Sequence, residues 1–189
     1  YSFNEENHFT EDLPTFGFIG RLTHQKKIFL LLDVLLEINK VKAKANLLII
    51  GNGIEMNNLK VKAASLGLEN NVFFYGECYD ENKIFSLMSS MNVVVSPGEV
   101  GLTAIHAMSF GIPVITHNRF ENQMPEYEAI IEGVTGAFFN YEKPLDSLMI
   151  KLNFWLFESN KNDSQVNCYN VIDKYYNPYN QQKIFDSKV

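Results

Sequence analysis

Residues 91–116, MNVVVSPGEVGLTAIHAMSFGIPVIT, constrain the fold more than any other part of this chain. Val93-Val94-Val95 is a β-branched apolar run, and Ser96-Pro97-Gly98 breaks it. Residues 101–110 read as a short helix rich in small side chains. Gly111 stops that helix, and residues 113–116 form a second strand. A buried parallel strand, a glycine-containing turn and a helix N-terminus together favour an anion. The first amides of the helix lack intrahelical acceptors, and the dipole presents its positive end there.

The same alternation recurs along the chain. Residues 16–20 (FGFIG) are a short buried strand followed by a turn through Arg21 and Lys26. From 27 to 41, Ile28, Leu31, Leu32, Leu35, Leu36 and Ile38 fall at helical spacing. Residues 46–51 (NLLIIG) are apolar on both faces, as a parallel strand covered by helices is. A helix over 55–66, a strand over 72–76 and a helix over 80–90 with Asp80 as N-cap come next. After the central stretch, a short helix starts near Pro125, residues 137–139 make a sixth strand, and 144–157 a helix. Residues 161–163 read as a loop, and 164–175 and 179–187 as two more helical pieces. Strand–helix alternation repeated in this way predicts an α/β fold. The expected core is a doubly wound, Rossmann-like, mainly parallel sheet of about six strands with helices on both faces. Residues 1–15 read as an arm, 16–160 as the domain, and 161–189 as a helical extension of it. Ligands of such sheets bind beyond the carboxyl ends of the strands. The turns of interest are those after Gly20, Gly51, Gly76, Ser96 and Thr116.

Composition narrows the function classes. The formal charge is −6, from 16 basic and 22 acidic side chains, which argues against a nucleic-acid partner but not against one local basic pocket. Cys78 and Cys168 are far apart and fit no metal spacing, so both read as reduced thiols of a cytosolic protein. The four histidines show no ligand spacing, and neither a metal nor another cofactor is expected. No apolar run approaches the ~18 residues of a membrane span. The chain opens polar and without Met, as if cut from something longer.

Within that frame, the backbone N–H groups of Gly101, Leu102 and Thr103, with the Thr103 hydroxyl, are placed to hold a diphosphate. The competing reading is a turn whose glycines serve sterics alone. Arg21 and Lys26 leave the first strand at its carboxyl end. A cation at a helix start opposes the dipole, so these two suggest an expected anion, whereas Lys27 reads as a solvated surface charge. His106 sits one helical turn past the phosphate turn, within reach of a ribose hydroxyl. His117 follows the fifth strand near the same crevice. Glu99 in the turn is a candidate for bonding a sugar hydroxyl, and Glu126 reads as an ordinary first-turn carboxylate. Gly51-Asn52-Gly53 fails the dinucleotide fingerprint, with Met56 at its third position, and neither GxxxxGK[ST] nor GxSxG occurs.

In this order, FIGRL with Lys26, LLIIGNG, VFFYGEC, VVVSPGEVGLTAIHAMSFGIPVI and MPEYEAIIEGVTGAFF resemble the C-terminal, nucleotide-sugar-binding domain of GT-B glycosyltransferases of family 4. The resemblance covers about residues 16–157. It implies that Arg21 and Lys26 are the catalytic pair contacting the donor diphosphate. It implies that the turn from Gly98 to Thr103 lies under the phosphates, and that Gly76, Glu77 and Cys78 stand where backbone meets the base. It further implies transfer with retention and no metal, since protein cations and a helix dipole stabilise the departing diphosphate. The segment Tyr175-Tyr176-Asn177-Pro178-Tyr179 resembles the one that crosses back to the N-terminal domain.

Two departures stand out. The family carries two glutamates flanking the phosphate turn, for the donor sugar and the ribose, and the matching positions here are Gly98 and His106. Glu99 is one position late, and the usual glycine after the first-turn lysine is Lys27. The chain also lacks room for an acceptor domain before residue 16. The expectation is therefore a donor half, inactive alone, whose partners are a nucleotide sugar and the N-terminal acceptor-binding domain of the same parent. That parent would be cytoplasmic or peripheral at the inner membrane face and would act in polysaccharide biosynthesis. The alternatives are a degenerate, non-catalytic binding or interaction module, and a sugar-nucleotide epimerase on the same architecture.

Overall fold

The computed structural model describes residues 13–40 and 44–186. Six strands, β1 (Thr15–Ile19), β2 (Asn46–Ile50), β3 (Val72–Gly76), β4 (Val93–Ser96), β5 (Val114–His117) and β6 (Gly136–Phe139), form one sheet in the order β3-β2-β1-β4-β5-β6. Every pairing is parallel. The helices are α1 (Phe29–Lys40), α2 (Met56–Ser65), α3 (Glu81–Ser89), α4 (Thr103–Ser109), α5 (Pro144–Asn153), α6 (Lys161–Val171) and α7 (Pro178–Asp186).

The period-2 alternation of the strands sends successive side chains to opposite faces, and both faces are covered. Leu47, Ile49, Val93 and Val95 pack with α1, α2 and α5, while Leu48, Ile50 and Val94 pack with α3, α4 and α6. Phe16 and Phe18 are the large fillers of the first layer. Cys168 and Val171 of α6 belong to the second layer, so residues 161–171 pack into the same core.

Local differences from the sequence reading have physical causes. β1 begins at Thr15 rather than at residue 16, because Thr15 is already in parallel register with Asn46 of β2. The helix expected from residue 27 begins at Phe29. Before it lies a separate 3-10 turn, His24–Lys26, and Lys27 then takes a left-handed conformation (φ 51°, ψ 34°). Lys26 therefore closes its own turn and does not oppose the α1 dipole from within that helix. The expected end of that helix at residue 41 lies outside the described residues. The loop expected at 161–163 is the first turn of α6, capped by the Asn160 side chain, which accepts from the Asn162 and Asp163 amides. Asp80 caps α3 as expected, accepting from the amides of Asn82 and Lys83. Residues 154–158 continue α5 as a π-helical turn, an arrangement that leaves no 3.6-residue signature. Among the described residues no helix is long and apolar enough to cross a membrane.

Candidate functional site

The chain leaves β1 toward β2 and β3, then crosses back to place β4 on the other side of β1. The loops after β1 and β4 diverge at this reversal, and the crevice between them is where an open parallel sheet receives a ligand. Its centre is a cavity of about 460 Å³ lined by Arg21, Thr23, Gln25, Lys26 and Glu99. Lys26 Nζ donates to the Glu99 carbonyl oxygen at 2.9 Å and stands 3.7 Å from Glu99 Oε1. Arg21 is exposed, and its guanidinium has no hydrogen-bond or ion-pair partner among the described residues.

Gly98 joins the two loops. A Cβ at this position would lie 2.2 Å from the Gln25 carbonyl oxygen and 2.9 Å from the Lys26 Cα. Only a glycine lets the turn after β4 lie directly on the 3-10 turn that carries Lys26. Hydrogen bonds fix the remainder of that turn. Ser96 Oγ donates to the Glu99 carbonyl at 3.2 Å, and Thr116 Oγ1 donates to the Ser96 carbonyl at 2.9 Å. Gln123 bridges across: its Oε1 accepts from the Val100 amide at 2.7 Å, and its Nε2 donates to Thr116 Oγ1 at 2.9 Å. The α4 ladder starts with Ala104 N–H to the Gly101 carbonyl and His106 N–H to the Leu102 carbonyl. The amides of Gly101, Leu102 and Thr103 stand at or before that start, where a helix has no acceptors of its own to offer.

Two further cavities adjoin the central one. A cavity of about 280 Å³ shares Arg21 and extends along the ends of β2 and β3, past Gly51, Asn52, Glu77, Cys78 and Tyr79. On the opposite side, a cavity of about 270 Å³ shares Gln25 and Glu99 and is closed by Lys27, Gly98, His117, Asn122 and Tyr141. Lys27 Nζ lies 3.8 Å from the Tyr141 ring centroid, and the Arg119 guanidinium 4.0 Å from the same ring. The left-handed backbone of Lys27, found at no other non-glycine among the described residues, costs roughly 1 kcal/mol. The Lys27 ammonium beside it, seconded by the Arg119 charge, holds the Tyr141 hydroxyl below the usual phenol range. His117 is buried, and its Nδ1 accepts from the Arg119 amide at 3.2 Å, which leaves Nε2–H as its donor. Burial first, then the Lys27 and Arg119 charges, push its pKa down to about 4, so the ring is neutral near pH 7.

Residues 2–167 match the model of the family described as Glycosyl transferases group 1. This chain belongs to that family. It is 28% identical over 147 residues to a glycogen synthase of Vibrio vulnificus (strain YJ016), an alignment covering 75% of this chain and 30% of the relative. The chain thus spans under a third of that enzyme's length. Among solved structures, it superposes on the pneumococcal O-GlcNAc transferase GtfA, in complex with UDP and GlcNAc, with a TM-score of 0.76 at 16% identity. That match covers 96% of this chain and 37% of the transferase. It superposes on the C-terminal domain of the group 1 protein LpcC from Francisella tularensis with a TM-score of 0.69 at 20% identity, covering 90% of this chain and 93% of that domain.

In this group 1 glycosyltransferase chain, the structure brings Arg21, Lys26 and Glu99 together in one cavity and places Gly98 beneath it. Cys78 lines the neighbouring cavity, and the Gly76 carbonyl accepts from the Gly51 amide at 2.7 Å behind it. His106 lines none of the three. It lies 3.3 Å from Glu81 Oε2 of α3, and its ring packs on Phe110. His106 and His117 do not meet, and no three His, Cys, Asp or Glu among the described residues cluster as metal ligands would. Lys27 is exposed, yet it is more than the solvated charge the sequence suggests, because its ammonium is seated on an aromatic ring that closes a cavity. The residues not singled out from sequence include Thr23, Gln25, Tyr79 and Asn122, which line the cavities, and Gln123, Arg119 and Tyr141. The last two leave the carboxyl ends of β5 and β6, and the turn after β6 was the signal available for Tyr141.

Proposed function

We propose that this chain is the donor-binding half of a family 4 glycosyltransferase that moves a sugar from a nucleoside-diphosphate sugar to an acceptor with retention of configuration. The observation that carries the reading is the cation pair Arg21 and Lys26, converging with the turn after β4 in one cavity at the strand-order reversal. In a chain of net charge −6, two cations lining one cavity with Glu99, and the amides of the α4 start that follow Glu99 in the chain, match a diphosphate. Arg21 supplies a planar guanidinium for two phosphate oxygens, and Lys26 a point charge braced by Glu99. Both are positioned to stabilise the charge that accumulates on the departing diphosphate, the role a metal would otherwise fill. The base lies against Gly76, Glu77 and Cys78, and His106 and Glu99 remain the candidates for ribose and sugar hydroxyls. The superposition on an isolated C-terminal domain and on a transferase holding UDP supports this division of labour. The acceptor domain, a cytoplasmic setting and a role in polysaccharide biosynthesis belong to the same proposal.

One observation favours a second reading. The packing of Gly98 against Gln25 and Lys26 leaves no room for the carboxylate that the family resemblance places there. A non-catalytic binding module would tolerate that loss, and assaying the longer protein for transfer separates the two. The donor site itself is tested by titrating UDP, GDP and ADP into the chain by calorimetry or NMR. Binding in the millimolar range or tighter is expected, weakened about tenfold by Arg21→Ala and by Lys26→Ala. No binding at millimolar nucleotide, or variants that bind as well as the parent, would refute the reading.

A further inference from the structure

The three cavities form a row. Counted from the β3 side, the cavity of about 280 Å³ is the first, the central one the second and that of about 270 Å³ the third; Arg21 is common to the first and the second, and Gln25 and Glu99 to the second and the third. A nucleotide sugar is also a row: base, ribose, diphosphate, sugar. With the diphosphate on Arg21 and Lys26 and the base at the ends of β2 and β3, the transferred sugar falls in the third cavity. That assignment rests on the donor-site reading above.

The lining of this third cavity is unusual for a neutral hexose, whose hydroxyls are met equally by donors and acceptors. Lys27 has no carboxylate partner among the described residues. Arg119 does not itself line the cavity; it is ion-paired with Glu121 and Glu142 and turned onto the ring of Tyr141, which does. His117, Asn122 and Tyr141 add neutral donors around the same space. The one carboxylate lining the cavity, Glu99, is drawn toward Lys26. A backbone conformation that disfavours any side chain is retained at the position that delivers an ammonium seated on the Tyr141 ring and without a carboxylate partner among the described residues, which is the pattern of strain held at a working site.

We propose that the third cavity takes a donor sugar bearing a carboxylate, held by Lys27 with Arg119 nearby on the Tyr141 ring, so that the donor class is a nucleoside-diphosphate hexuronate. The interaction is between one exposed ammonium and one carboxylate at contact distance, which in a solvent-facing cleft amounts to about a five- to tenfold preference over the uncharged sugar.

The test titrates UDP, UDP-glucose and UDP-glucuronate into the 189-residue chain and into Lys27→Gly, whose glycine accepts the left-handed backbone and so leaves the fold in place. If GDP is the diphosphate that binds, GDP-mannose and GDP-mannuronate replace the UDP pair. The expected result is tighter binding of the uronate in the parent, collapsing to near parity in Lys27→Gly while the affinity for the bare diphosphate holds. Arg119→Ala, as a second variant, reduces the preference in the same direction. If UDP binds but the two sugars bind equally, or if the preference survives Lys27→Gly, the uronate proposal falls and the donor-site reading stands. If no nucleoside diphosphate binds, the donor-site reading falls first and takes this proposal with it.

Discussion

Gly98→Ala is the sharpest probe of how the site is built. The added methyl would stand 2.2 Å from the Gln25 carbonyl oxygen and 2.9 Å from the Lys26 Cα, against an ordinary contact of 3.4 Å or more. Both neighbours are backbone, so neither rotates aside. Lys26 N–H is bonded to the Thr23 carbonyl and Lys27 N–H to the His24 carbonyl, each at 3.1 Å. The two loops must part by about an ångström or more. Forced separation of packed elements costs about 1–3 kcal/mol. In a chain of this length that lowers Tm by about 2–12 °C. The same movement pulls Lys26 away from its 2.9 Å bond to the Glu99 carbonyl, so nucleoside-diphosphate affinity falls together with stability. Gly101→Ala is the matched control, because its methyl would meet the Met124 side chain at 3.6 Å, an ordinary contact. Urea denaturation followed by circular dichroism reads the stability, and calorimetry with UDP reads the affinity. If Gly98→Ala proves as stable as Gly101→Ala, the close packing of the two loops is not what holds Lys26.

Two further outcomes follow from the same geometry. His117 is held neutral with a pKa near 4 against 6.5 when unfolded, so the unfolded chain takes up a proton that the folded chain refuses. Stability should therefore fall by up to about 3 kcal/mol as pH drops from 6.5 to about 4 and level off below, and urea midpoints of His117→Asn should lack that portion of the slope. Cys168 is fully buried with its thiol pushed up to about 12, whereas Cys78 is half-buried in the cavity assigned to the base. Iodoacetamide followed by mass spectrometry should label Cys78 alone in the native chain, and saturating UDP should slow that labelling several-fold; labelling unaffected by UDP would place the base elsewhere.

The sheet was legible because parallel strands buried on both faces leave continuous apolar runs such as Leu47-Leu48-Ile49-Ile50 and Val93-Val94-Val95. Helix boundaries were less so. Asn160 caps α6 three residues before the reading from periodicity allowed, and the π-helical turn at Phe154–Glu158 has no spacing rule that a sequence displays. The meeting of Arg21 and Lys26 in one cavity was legible because topology alone sends the end of β1 to the edge where open parallel sheets receive ligands. Lys27 was not, since its neighbours Tyr141 and Arg119 come from loops about a hundred residues away that meet it only once the sheet is assembled. The environment of His106 was missed for a similar reason: Glu81 reaches it from a different helix.

Gln123 offers a last consequence. Its amide ties the Val100 backbone to Thr116, and it stands 3.0 Å from His117 Nδ1. None of these groups carries charge near neutral pH, so this tie is indifferent to ionic strength and to physiological acidity. The cations proposed to meet the ligand lie elsewhere, Arg21, Lys26 and Lys27 in the loop after β1 and Arg119 in the loop after β5, and their attraction for it depends on salt directly. Scaffold and selectivity are thus written in different residues. A descendant of this chain could exchange Lys27 or Arg119 for neutral side chains and adopt a new donor without reopening the mould that Gln123 keeps.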